Sequence, residues 1–310
     1  MTVHLPAQDE PISALRPFQA ARLVVVDIDG TLIAQPDEEL FEQLRWLVAR
    51  LAHHSAAVAC TVATGRAWAG AAPYVGALVR ATGTPVILYN GAVTLTRGGE
   101  VLHARRMPAA AAHAVAAAAA GAGCGALAYD CTTGLEDQSP RESAVGWFRG
   151  AAPAREFNGL PVQPLATAEP PPFDPVAMLV LAPAGAARRV VSAAAFATGA
   201  VTVTSSSPRY VEIRPLSADK GDALARLAER IAMPISSIVA VGDNDNDAEL
   251  LCAAGVGVAV GNASPAAVAA ADYLCRRPAA EGVVELFQLL LDAKRYARAA
   301  PFAADNVTGR

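Results

Sequence analysis

Leu23-Val24-Val25-Val26-Asp27-Ile28-Asp29-Gly30-Thr31 is the stretch that decides the fold. Four consecutive apolar residues, three of them β-branched, suit a strand buried on both faces of a parallel sheet. The run stops at two carboxylates and a glycine. Ligands in open α/β sheets bind beyond the carboxyl ends of the strands, so Asp27 and Asp29 arrive where chemistry is usually placed. Alternate residues of an extended chain share a side, which brings the two carboxyls towards one point. Adjacent carboxylates repel, and a divalent cation is the usual remedy. Asp-Gly is also a turn signal, so a plain turn at the strand end accounts for this segment alone equally well.

Outward from that strand, short apolar runs alternate with helical patterns. A helix is predicted over 39–51, with Leu40, Leu44, Leu47, Val48 and Leu51 on one stripe. Strands follow at 58–62 and 85–89, and again at 238–241 and 257–260, with helices over 220–231 and 245–253. An amphipathic helix over 281–291 precedes a loose tail from 299. This alternation predicts an α/β fold with a Rossmann-like, doubly wound parallel sheet. The middle differs in texture. It holds a hairpin, 93–96 with 101–103, around Gly98-Gly99, an alanine-rich helix over 108–120, and a strand near 126–129. A proline-dense irregular connection (151–174) leads to a strand (177–181), a helix (186–196) and a β pair (201–204, 210–213). The expected organisation is a discontinuous core, 1–92 plus 208–310, with an inserted α+β cap module at 93–207.

A second acidic group, Gly242-Asp243-Asn244-Asp245-Asn246-Asp247, also follows a predicted strand and opens a helix. Hard oxygen ligands from two strand ends suit magnesium, which keeps waters or phosphate oxygens as its other ligands. A calcium loop would need ligands at every second position and a late glutamate in a helix-loop-helix setting, and the preceding strand argues against it. Asp245 reads as a solvated helix cap. Two further segments suit anions. Ala63-Thr64-Gly65-Arg66 offers a hydroxyl and backbone N–H groups at a turn into a helix. Lys220, in Ser217-Ala218-Asp219-Lys220-Gly221, could share a phosphate with helix-end amides, although a lysine at a helix start is more often a solvated surface group.

Bulk properties narrow the class. The 310 residues suit one large domain or two modest ones. Hydrophobic residues make up 53%, but alanine supplies roughly a quarter of the chain, and no apolar stretch reaches the length of a membrane span. Residues 1–18 lack the pattern of a signal peptide. Five cysteines without CxxC spacing suggest neither a disulfide framework nor a zinc site. A net charge of −4 without a basic block disfavours nucleic acid as a partner. The expectation is a cytoplasmic protein, monomer or homodimer, with no membrane and no nucleic-acid partner.

Taken in order, Asp27-Ile28-Asp29-Gly30-Thr31-Leu32, Thr64-Gly65-Arg66, Lys220 and Gly242-Asp243-x-x-Asn246-Asp247 resemble the four motifs of the haloacid dehalogenase superfamily. Asn90-Gly91-Ala92, Val211-Glu212-Ile213-x-Pro215, Gly257-Val258-Ala259-Val260-Gly261-Asn262-Ala263, Ala271-Asp272-Tyr273 and Glu281-Gly282-Val283 extend the resemblance to its Cof-like branch, the type IIB phosphatases.

The resemblance implies a magnesium-dependent phosphatase acting on a small phosphorylated metabolite, a sugar phosphate or related phosphomonoester. Asp27 would be the nucleophile that forms an aspartyl-phosphate, and Asp29 the acid and base. Thr64 and Lys220 would hold the phosphoryl oxygens. Mg2+ would be bound by Asp27, the backbone carbonyl of Asp29, and Asp243. Asp247 would support the metal shell or orient Lys220, and Asn246 would contact phosphate or lysine, with Gly65, Arg66 and Asn90 lining the same region. Substrate choice would lie in the inserted module, in residues such as Tyr129, Arg141, Glu142, Trp147, Arg149 and Asn158, although surface polar groups and a core tryptophan account for most of these equally well. A phosphomutase of the same fold and a catalytically silent binding protein are the alternatives. His53-His54 reads as a helix-end cap, Gly121-x-Gly123-x-Gly125 as a flexible turn, Asn306-Val307-Thr308 as a meaningless glycosylation match, and Arg276-Arg277 as too short for a polyanion.

Overall fold

The computed structural model describes residues 3–7, 11–33, 38–52, 58–79, 83–134, 139–148, 160–182, 185–204 and 210–299. The chain forms two compact units, Met1–Val62 with Ala77–Thr84 and Ala228–Arg310, and Ala63–Gly76 with Pro85–Leu227. His53-His54, Arg149, Asn158, Asn306-Val307-Thr308 and the tail beyond 299 lie outside the described residues.

The first unit is built on a six-stranded, all-parallel sheet. Its order is Val3–His4, Tyr273–Leu274, Val256–Ala259, Ile238–Gly242, Leu23–Val26, Ala59–Val62. Leu23–Val26 is buried at all four positions, as a continuous apolar run requires of a strand covered on both faces. From Leu23–Val26 the chain goes on to the neighbour on one side, Ala59–Val62, while Ile238–Gly242 goes on to the neighbour on the other, Val256–Ala259. These two central strands therefore flank a topological switch point, the position at which open α/β sheets bind ligands. The helices Glu38–Ala52 and Ala279–Ala299 pack against each other. The second runs longer than the predicted 281–291, because Ala279 and Ala280 before it and Ala293 and Lys294 after it continue its buried stripe.

The second unit carries a six-stranded sheet ordered Val201–Thr204, Val211–Pro215, Ala177–Leu181, Gly125–Thr133, Pro140–Trp147, Val162–Pro164. All its pairs are antiparallel except the last. The helices Ala109–Gly121 and Ala186–Ala197 cover it. Alanine has the highest helix propensity, and the buried face Ala111, Ala112, Val115, Ala116, Ala119 is built almost wholly of methyl groups. Trp147 and Met178 supply bulk to the same core. A smaller antiparallel sheet joins Val86–Leu88, Val93–Leu95 and Val101–Ala104, and includes the predicted hairpin. Pro140–Trp147 and Val162–Pro164 were not among the predicted strands, and the second falls within the expected irregular connection.

Candidate active site

In the first unit, the backbone N–H of Asp27 donates to Val241 O at 3.0 Å, and Val26 pairs with Val241. The two central strands thus end level, which delivers Asp27 and Asp243 side by side. Neighbouring strands lie about 4.8 Å apart. Asp27, Asp243 and Asp247 each present a carboxylate oxygen, and these atoms all lie within 4.8 Å of one another. Asp27 is 3% exposed and Asp247 fully buried. Ionised together, each pair repels by about 3.5 kcal/mol at an effective dielectric of about 20.

Each acid is held by its own local structure. Thr31 Oγ1 donates to Asp243 Oδ1 at 2.8 Å. Asp247 Oδ2 accepts the backbone N–H groups of Asp243 (3.0 Å) and Asn244 (3.1 Å). After Ile28 the chain turns back, with Gly30 N donating to Ile33 O at 2.9 Å. Gly30 has φ +86°, and a Cβ there would stand 2.2 Å from Asp243 Oδ2, so only glycine fits. Asn262 Nδ2 donates to Gly30 O at 3.1 Å and ties the turn to the segment that follows Val256–Ala259, the strand on the other side of Ile238–Gly242. Asp29 is exposed and its side chain stands outside the three-acid group. Three hard oxygen donors without sulfur or imidazole form a set suited to magnesium, manganese or calcium rather than to zinc or copper.

The expected cap at Asp245 is corrected. Asn244 caps this turn, its side chain accepting from Asp245 N at 2.8 Å and forming a reciprocal capping box with Asp247. Asp245 is exposed and accepts instead from Ser264 Oγ at 2.7 Å. In a D-N-D-N-D run the cap is whichever side chain sits three residues before a partner able to reach back, and that is Asn244. Asn246 is buried in the same turn.

The second unit holds the remaining candidates. Thr64 is fully buried, its N–H donating to Ile87 O at 3.0 Å and its Oγ1 accepting from Arg66 N at 3.2 Å. The Arg66 guanidinium folds back over its own helix, Trp68–Leu78, donating to Gly70 O at 3.0 Å and lying over the Tyr74 ring. Asn90 N donates to Thr64 O (3.0 Å) and its Nδ2 to Glu212 Oε2 (2.8 Å). Gly65 packs against the Asn90 amide. Tyr89, Asn90 and Gly91 all have positive φ (51°, 53°, 94°). A Cβ on Gly91 would lie 2.0 Å from Asp219 O, so this turn is pressed against the start of the helix Lys220–Arg230. The Lys220 side chain has no exposed surface, which removes the solvated reading, since a buried ammonium survives only with polar or ionic partners.

Of the substrate-selecting candidates, Trp147 is a core residue, 2% exposed, with Nε1 donating to Glu169 O at 2.9 Å. Tyr129 is buried beside Tyr89, and Arg141 is exposed. The Glu142 carboxylate accepts from the backbone N–H groups of Trp68 and Ala69 and from the Tyr89 hydroxyl. Sequence reasoning assigned no role to Thr31, Asn262, Tyr89 or Glu212. Thr31, Asn262 and Glu212 stood inside recognised motifs, which was the available signal, whereas Tyr89 carried none.

A family profile, that of the haloacid dehalogenase-like hydrolases, matches residues 24–287. The Bacillus subtilis protein YxeH, whose name gives it provisionally as a phosphatase, is 28% identical over 291 residues, 88% of this chain and 99% of its own. Among solved structures, a haloacid dehalogenase-like hydrolase from Bacteroides thetaiotaomicron superposes with a TM-score of 0.68 at 22% identity, covering 86% of this chain and 98% of that one. The HAD subclass IIB sugar phosphatase BT4131 superposes with a TM-score of 0.67 at 18% identity, with the same coverage. At such identities the structural likeness is one of fold.

Proposed function

Because the chain belongs to the haloacid dehalogenase-like hydrolases and is a phosphatase of that family, we propose that it hydrolyses a small phosphorylated metabolite, a sugar phosphate or related phosphomonoester, with magnesium as cofactor. The observation that carries the reading is the group Asp27, Asp243, Asp247, two of them buried and Asp243 partly so, at the carboxyl ends of two adjacent parallel strands. These residues, with the backbone carbonyl of Asp29, would hold Mg2+, whose positive charge would offset both their mutual repulsion and that of an anionic substrate.

In this mechanism the Asp27 carboxylate attacks phosphorus and the bond to the leaving oxygen breaks, giving an aspartyl-phosphate. Asp29 gives its proton to the leaving oxygen, then takes one from a water that attacks the intermediate. The P–O bond to Asp27 breaks, inorganic phosphate leaves and the free carboxylate returns. Thr64 and Lys220 hold the phosphoryl oxygens as negative charge redistributes, with Gly65, Arg66, Asn90 and Asn246 lining their surroundings. Because the Arg66 guanidinium lies over its own helix, the contribution of Arg66 is assigned to its backbone. Segment 93–207 is proposed as the cap that excludes water and selects the substrate, and the cytoplasm as the compartment.

A phosphate-release panel with and without magnesium, on wild type and Asp27→Asn, tests the reading. Magnesium-dependent release abolished by the substitution is expected. Release without metal, or surviving in Asp27→Asn, overturns it. Isomerised ester without free phosphate would identify a mutase instead.

A further inference from the structure

We propose that Glu142, in the strand Pro140–Trp147, is a positioning residue for phosphate binding: its one carboxylate locks the Thr64 turn to the Tyr89–Gly91 turn. The proposal rests on the phosphatase reading above, in which Thr64 and Asn90 face the phosphoryl group.

The contacts are specific. Glu142 Oε1 accepts from Trp68 N and from the Tyr89 hydroxyl, each at 2.5 Å, and Oε2 accepts from Ala69 N at 2.8 Å. Trp68 and Ala69 open the helix Trp68–Leu78, whose first N–H groups have no partner within the helix and whose dipole favours an anion there. That helix begins directly after Thr64-Gly65-Arg66-Ala67. The carboxylate therefore fixes where the turn ends, through two charge-assisted bonds to backbone. Its third bond holds the other partner. Tyr89 N donates to Arg66 O at 3.2 Å and Asn90 N to Thr64 O at 3.0 Å, so the two turns already share backbone bonds.

Three consecutive residues in the left-handed region, two of them not glycine, persist only where their surroundings over-determine them. Those surroundings are visible. Glu142 takes the Tyr89 hydroxyl, Glu212 takes the Asn90 amide, and Gly91 is pressed against Asp219 O beside Lys220. Burial, and then the Glu142 charge, raise the Tyr89 pKa well above its ordinary value of 10, so the phenol stays a donor. Glu142 itself is anchored in its sheet, opposite Cys131 of Gly125–Thr133. Its hydrogen bonds go to Trp68, Ala69 and Tyr89, none of them assigned to the reaction, and it acts through the backbone that carries Thr64 and Asn90.

The test uses the full chain with magnesium and p-nitrophenyl phosphate. Wild type, Glu142→Gln, Tyr89→Phe and the double variant are compared in KM, kcat, thermal midpoint and inorganic phosphate affinity by calorimetry. Glutamine keeps the shape but loses the charge and one acceptor. KM and the phosphate Kd are expected to rise together by about tenfold in Glu142→Gln and about threefold in Tyr89→Phe, with kcat changed less. Because both substitutions cut the same link, the double variant should be no worse than Glu142→Gln alone. A phosphate Kd within twofold of wild type in Glu142→Gln, or single effects that multiply in the double variant, overturns the proposal. If Glu142→Gln does not fold, Tyr89→Phe, which removes only a hydroxyl, decides alone, and an unchanged Kd refutes it. Loss of the phosphatase reading shows differently, as wild-type release that is indifferent to Asp27→Asn.

Discussion

Replacing Gly30 with alanine tests whether the three-acid group binds metal. Gly30 sits at φ +86°, and its Cβ would meet Asp243 Oδ2 at 2.2 Å and Cγ at 2.7 Å. Ordinary contact begins at 3.4 Å, so the carboxylate must retreat by about 1.2 Å. It cannot swing freely, because Thr31 Oγ1 holds Oδ1 at 2.8 Å. Two costs follow. The backbone cost of a side chain at that φ is about 1–2 kcal/mol of stability, and it should appear with or without metal. The displacement of Asp243 should lower turnover by about a hundredfold, since a misplacement of about 1 Å at a reacting centre has that effect. Magnesium titration of phosphate release, paired with thermal midpoints at several magnesium concentrations, separates them. Wild type should gain about 2.7 kcal/mol at a hundred times its metal Kd, and Gly30→Ala much less. Thr31→Val is the control. It keeps the fold of the turn and removes one bond of about 1 kcal/mol, so its metal affinity should fall only about fivefold. A Gly30→Ala protein with wild-type turnover and a wild-type response to magnesium would refute the assignment of Asp243 as a ligand.

Two further outcomes follow from burial. Cys60 and Cys131 are buried and their thiols pushed up to about 12, and burial raises Cys275 as well. Cys252 is exposed. At pH 8 an alkylating reagent should therefore label Cys252 first, and those three only on unfolding, because the thiolate is the nucleophile. Mass-mapped labelling of any of the three at the rate of Cys252 in native protein contradicts this. His103 lies partly buried in the strand Val101–Ala104, where desolvation, then Arg226 and Arg105, lower its pKa below 6.5 against the opposing pull of Asp222. Above 6.5 both states are neutral there and nothing is lost. As pH falls below 6.5 the unfolded chain takes up the proton first, so stability drops until the folded pKa is passed. Denaturant midpoints between pH 7 and 5 should fall less steeply in His103→Gln, and an identical slope would exclude this contribution.

The parts of the fold that sequence reading recovered are those written locally. Leu23–Val26 and Ile238–Gly242 are continuous apolar runs that stop at acids, and a strand buried on both faces leaves no other pattern. Asp27, Asp243 and Asp247 were legible because strand ends and motif spacing point to them, and Lys220 because of its place in the motif order. What stayed hidden depends on distant pairing. Pro140–Trp147 is half-exposed at its start and fully buried at its end, so neither alternation nor a solid apolar run marks it. Glu142 meets Trp68 and Tyr89 across 74 and 53 residues, and an isolated glutamate in a strand announces no partner. By its place in the inserted module it reads equally well as a substrate contact and as a surface polar group. Of the two readings open for Trp147, the core one holds, its indole N–H being satisfied by Glu169 O rather than by a ligand.

The level ending of the two central strands has an entropic side. Thr31 and Asp243 touch across 212 residues of intervening chain. For a flexible loop, each doubling of length adds only about 0.6 kcal/mol to closure. Lengthening a ten-residue connection to this span therefore adds about 2.7 kcal/mol. A connection that folds on itself and returns its ends close together would lower even that. The sheet that carries the acids is thus nearly indifferent to how much chain is spliced between its central strands. Only the part of that span which builds none of the sheet is open to exchange on these grounds, because Ala59–Val62 and Ile238–Gly242 lie within it and bring the acids together.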